Sequence, residues 1–175
     1  MSKTIPTLKV NYEKDNEDGG IFGVSLVDNP ANQTMFITLA QEEIKLATND
    51  EKRLITGVIL IPNQLIYRVS NGVEYNLMFE AEEIRMLNKD FFKRKNQSNS
   101  NINHIEDQKI EGLTFCESWI VEDPANDKSN ALGFKNIEKG TWFMSAYVED
   151  DSIWEMAKTG KVKGFSIEGV LSLER

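Results

Sequence analysis

Three side chains in this sequence have types and settings that suit acyl-transfer chemistry: Ser166, His104 and Glu117. Ser166 lies in Gly164-Phe165-Ser166-Ile167-Glu168-Gly169-Val170-Leu171-Ser172-Leu173. Side chains of a β-strand alternate between its faces with period two. Phe165, Ile167, Leu171 and Leu173 then share one face, and Ser166, Glu168 and Ser172 the other, with Val170 the exception. Glycine permits close approach of a backbone or ligand, so a serine between Gly164 and Gly169 on a polar face suits a nucleophile open to substrate. The plain alternative is one solvated strand serine among many. His104 is the sole histidine. Imidazole titrates near neutrality, so any histidine-dependent acid–base step must use this residue, although a histidine at a loop edge is often simply solvated.

Glu117 is placed oddly. In the strand predicted over residues 112–122, Leu113, Phe115, Glu117, Trp119 and Val121 fall on one face. A carboxylate there needs a donor or a cation, because burying it alone is costly. A histidine is one such donor; a lysine or arginine partner, or a β-bulge, would serve equally. Glu122 and Asp123 look like turn residues. Glu168 shares the Ser166 face, but two residues along a strand span roughly 6.5–7 Å, which suits a substrate contact or solvent better than a triad bond. Trp119, Trp142, Trp154 and Cys116 are expected in the core. No G-x-S-x-G elbow, P-loop, dinucleotide fingerprint or H-E-x-x-H is present. No cofactor and no metal is expected; carboxylates are plentiful, but none has metal-site spacing.

The elements that would hold these residues read as mainly β with peripheral helices. Apolar segments at 21–27 and 35–39 flank turn chemistry at Asp28-Asn29-Pro30-Ala31-Asn32, and 41–52 reads as a linker or short helix. Strands are predicted over 54–62 and 64–69, with Asn71-Gly72 turning the chain into a third over 73–79. Over 81–94 the period becomes helical, with Ile84, Leu87 and Phe91 on one stripe. Residues 95–103 are a polar loop leading to His104. A strand over 140–148 precedes a short helix capped by Asp150 or Asp151 and closed by Gly160. Close strands without βαβ alternation favour an antiparallel sheet or barrel.

Composition narrows the classes further. The chain has 175 residues, 40% hydrophobic and 27% charged, with net charge −8 and pI about 4.8. That fits one domain with a loose N-terminal arm over about 1–20, and it argues against a nucleic-acid surface. The apolar runs are too short to span a bilayer. One cysteine precludes an intrachain disulfide and suits a cytosolic chain.

Together these pieces resemble a family, the XkdF-like serine proteases among phage prohead maturation proteases. The matching residues are Val24-Ser25-Leu26-Val27-Asp28-Asn29-Pro30-Ala31, Ile55-Thr56-Gly57, Ile61-Pro62, Ile66-Tyr67-Arg68, the helix between Phe79 and Phe92, His104, Glu117-Ser118-Trp119-Ile120-Val121, Gly140-Thr141-Trp142, Trp154 and Gly164-Phe165-Ser166-Ile167-Glu168-Gly169. The resemblance implies a herpesvirus-assemblin-like antiparallel β-barrel surrounded by helices. It implies Ser166 as nucleophile and His104 as general base, within hydrogen-bond reach of each other. The third member varies in that wider group; with no second histidine it must be acidic or absent here, and Glu117 is the choice. Scaffold and major capsid proteins would be substrates, inside the assembling prohead in the host cytoplasm, with self-cleavage and a homodimer also compatible. Relatives of this type continue past the position of Arg175, so the expected C-terminus is a trimmed one. An inactive structural or scaffold-associated capsid assembly protein is the alternative.

Overall fold

The structure, a computed structural model, describes residues 5–13, 16, 18–30, 47–49 and 52–174. Its strands are β1 (Thr7–Asn11), β2 (Gly20–Val27), β3 (Ala47–Asn49), β4 (Leu54–Leu60), β5 (Ile66–Ser70), β6 (Val73–Met78), β7 (Asn101–Ile102), β8 (Ile105–Lys109), β9 (Leu113–Ile120), β10 (Trp142–Val148), β11 (Gly164–Val170) and β12 (Ser172–Glu174). The helices are α1 (Ala81–Lys93), α2 (Lys128–Ala131) and α3 (Asp151–Lys158). The expected mainly-β content with few helices is therefore present. The apolar segment at 35–39 lies outside the described residues, and part of the stretch read as a linker or helix is strand β3.

The strands form three four-stranded sheets, in the orders β12-β1-β6-β5, β3-β4-β10-β9 and β11-β2-β7-β8. No closed barrel is formed among the described residues, and the pairing is not wholly antiparallel: β1 runs parallel to β6, and β2 to β7. The expected antiparallel barrel is corrected to that extent. The physical reason is local to the ladders. Among the described residues β11 is hydrogen-bonded along one side only, to β2, so sheets meet there through side chains rather than through a continuous ladder. The stretch read as a loose arm contains β1, which lies between β12 and β6.

Why these segments fold as they do follows from their apolar positions. Ile84, Leu87 and Phe91 of α1 are fully buried, as the helical period requires. Phe91 meets Trp142 edge-on at 6.1 Å and Phe115 at 6.3 Å, and Phe115 meets Phe165 at 5.3 Å. Each such pair adds about 0.5–1.5 kcal/mol beyond area burial. This chain of rings fixes the residue immediately before Ser166 to the core. Asp150 caps α3, accepting from the Ile153 backbone at 2.9 Å. Gly160 follows with φ +71°.

The two glycines around Ser166 have reasons of their own. A Cβ on Gly164 would sit 2.7 Å from Pro30, and one on Gly169 only 2.1 Å from the Gly20 carbonyl, where the β11–β2 register shifts. Both positions are thus demanded by neighbouring chain.

Candidate active site

Ser166 stands opposite Ser25 in the antiparallel β11–β2 ladder. Glu168, two residues further along β11, shares the Ser166 face. His104 comes from elsewhere. Asn103 and His104 join β7 to β8 with φ of +51° and +59°. Two successive positive φ values are the signature of a type I′ hairpin turn, and a non-glycine residue held there is strained by roughly 1–3 kcal/mol. What holds it is a ladder of asparagines. Asn96 donates to the Ile21 carbonyl at 3.0 Å, and Asn99 to the Phe22 carbonyl at 2.6 Å. The Asn103 backbone donates to Leu26 at 2.9 Å, and its side chain accepts from Asp28 at 3.2 Å. The polar loop is thereby fastened along β2, and the hairpin lays His104 over Ser25.

The result is a four-residue cluster. His104 Nδ1 lies 3.0 Å from Glu168 Oε1 and 3.1 Å from Ser25 Oγ. Asn101 Nδ2 donates to the same Glu168 oxygen at 2.6 Å. The Ser25 hydroxyl also donates to that oxygen and stands 2.7 Å from Asn101 Oδ1. Burial pushes the Glu168 pKa up, but the hydrogen bonds from Ser25, Asn101 and His104 outweigh it and hold the carboxyl below its ordinary range. An ionised carboxylate can only accept, so in the neutral imidazole Nδ1 carries the proton and Nε2 the lone pair. That is the tautomer a histidine general base requires.

The expected residues separate in the structure. His104 and Glu168 are brought together; Glu117 is not with them. Glu117 pairs with Lys128 at 2.6 Å and accepts from Ser145 at 2.9 Å. Lys128 holds its carboxyl below the usual range against the opposing effect of burial. The cause is a bulge. Ser145 pairs with Glu117 but Ala146 with Phe115, which leaves Cys116 unopposed. Beyond it the alternation inverts. Leu113 and Phe115 belong to the main core. Val121, Phe143 and Trp119 form a second cluster with Phe134. Lys128 sits 3.7 Å above the Trp119 ring. So Glu117 was never on the main apolar face, and its partner is a lysine. Cys116, expected in the core, is exposed; Trp142 and Trp154 are buried and Trp119 partly so.

Among the described residues no hydrogen bond joins Ser166 to His104, as the expected direct contact would require; Nδ1 is engaged by Glu168. Ser25, Asn101 and Glu168 are the site residues that sequence reasoning did not assign. The spacing of Glu168 from Ser166 along the strand does not report on this role, because an orienting carboxylate has to reach the histidine. The usable signal was the asparagine-rich approach to an Asn-His pair of turn type.

Among the described residues no group of three or more His, Cys, Asp or Glu could hold a metal ion. No helix among them is long and apolar enough to cross a membrane.

The structure is thus a mostly β protein, with helices, in which His104 meets Glu168 and Ser25, the latter paired with Ser166 across the β11–β2 ladder. The family model described as "Putative phage serine protease XkdF" matches residues 42–174, and the chain belongs to that family. No curated protein and no solved structure matches it.

Proposed function

We propose that this protein is a serine endopeptidase of phage prohead maturation, with Ser166 as nucleophile, His104 as general base and Glu168 as the residue that positions His104. The observation that carries the reading is the hydrogen bond from His104 Nδ1 to Glu168 Oε1, two residues from Ser166 on one strand face. It leaves Nε2 to accept the Ser166 proton as the hydroxyl attacks a peptide carbonyl. The same proton then passes to the leaving amine, and water repeats the sequence on the acyl-enzyme. Glu168 stabilises the imidazolium formed in each attack. Family membership supports the reaction class. Scaffold and major capsid proteins are the proposed substrates, the chain itself another, and the prohead interior the place. An assemblin-like origin for the fold belongs to the same reading.

A fluorophosphonate probe tests it. Stoichiometric labelling of the wild type, lost in Ser166→Ala and in His104→Ala, is the expected result; labelling that persists in Ser166→Ala overturns the assignment. The absence of a Ser166–His104 hydrogen bond favours a second reading, a catalytically inactive capsid assembly protein. A folded wild type that takes up no probe would establish that one instead.

A further inference from the structure

A cavity of about 140 Å³ opens beside Ser166. Its walls come from the end of β4 (Ile59), from β5 (Ile66, Arg68), from Leu77 and Phe79, and from β11 itself. By residue type the lining is apolar or glycine except for Ser166 and one cation, Arg68. β11 pairs with β2 alone among the described residues. Arg68 donates to the neighbouring Tyr67 carbonyl at 2.9 Å. No carboxylate among the described residues bonds to it. Burial pushes its pKa down, with Tyr75 opposing.

A guanidinium has five N–H donors in a fork that matches a carboxylate. Arg68 is half-buried, and holding a guanidinium among apolar side chains with no carboxylate bonded to it among the described residues carries a cost that falls in the same cavity as Ser166. We propose that this cavity is the subsite for the substrate side chain on the acyl side of the scissile bond, and that it takes an acidic residue, glutamate above aspartate. The apolar walls would pack the methylenes, and Arg68 would bind the carboxylate. A cavity of this size holds one side chain, and the longer acid reaches further along it. This subsite rests on the protease reading above.

Three active-site probes separate the two claims. One is a general fluorophosphonate; the others are the diphenyl phosphonates of acetyl-Ala-Ala-Glu and acetyl-Ala-Ala-Gln. The expected result is that the glutamyl probe labels Ser166 about tenfold to a hundredfold faster than the glutaminyl probe, the range of a charged hydrogen bond. In Arg68→Met that ratio falls to about one; a ratio unchanged from wild type overturns the subsite. Equal rates for the two peptidyl probes, with normal fluorophosphonate labelling, overturn the subsite and leave the protease standing. No labelling by any probe overturns both. Should Arg68→Met lose the general probe through misfolding, Arg68→Lys decides: a reduced ratio supports the subsite and an unchanged one overturns it.

Discussion

Replacing Glu168 by glutamine removes one charge from a cluster in which Ser25, Asn101 and His104 all converge on Oε1. In the wild type, the imidazolium formed during attack would stand 3.0 Å from that oxygen. Unit charges about 4 Å apart interact by about 4 kcal/mol at an effective dielectric of about 20. The His104 and Glu168 side chains are 44% and 31% exposed, so solvent screens part of this. About 2–3 kcal/mol then remains for the transition state, or roughly 30- to 150-fold in rate. If the new amide turns its NH₂ toward Nδ1, the wrong tautomer results, and the loss approaches about 10⁴-fold. The assay is the pseudo-first-order rate of fluorophosphonate labelling at Ser166, compared among wild type, Glu168→Gln and Glu117→Gln. Glu117→Gln should stay within about threefold, since Glu117 is spent on Lys128 and Ser145. Glu168→Gln at the wild-type rate, with Glu117→Gln crippled, would refute the assignment of the orienting carboxylate.

Three other outcomes are expected. Gly169→Ala should cost about 2–4 kcal/mol in urea unfolding, because its Cβ would meet the Gly20 carbonyl at 2.1 Å; a loss below about 0.5 kcal/mol would show that the bulge relaxes freely. The Glu168 carboxyl is held low in the folded state, so the stability it contributes is present above the ordinary carboxylate range and lost as pH falls through the folded value. The Tm gap between wild type and Glu168→Gln should therefore be widest near neutrality and close as pH falls below the ordinary carboxylate range; a gap that widens in acid contradicts this. Cys116 is exposed and should react with a maleimide in the native protein, leaving Ser166 labelling unchanged; a thiol that reacts only after denaturation would place it in the core.

Much of the framework was written in local pattern. The helical stripe Ile84-Leu87-Phe91, the Asn71-Gly72 turn, the Asp150 cap and the strand around Ser166 depend on neighbours a few residues away, and all appear where their residue types put them. Local pattern also nominated Ser166 and His104, because few other side chains here can attack or take a proton. It failed at Glu117, since period two holds only while a ladder is regular. The extra residue at Cys116 inverts the faces, and that depends on how β9 pairs with β10. It passed over Glu168 for a related reason: the carboxylate matters through its distance to His104, which sits 64 positions away in the chain. That distance exists only because Asn96, Asn99 and Asn103 bind the backbone of β2 and swing the hairpin across it. Composition alone makes those asparagines a polar loop. Hydrogen bonds to a particular strand edge are made between distant segments, so which residues could act was set by the sequence, and which of them meet was decided by the tertiary structure.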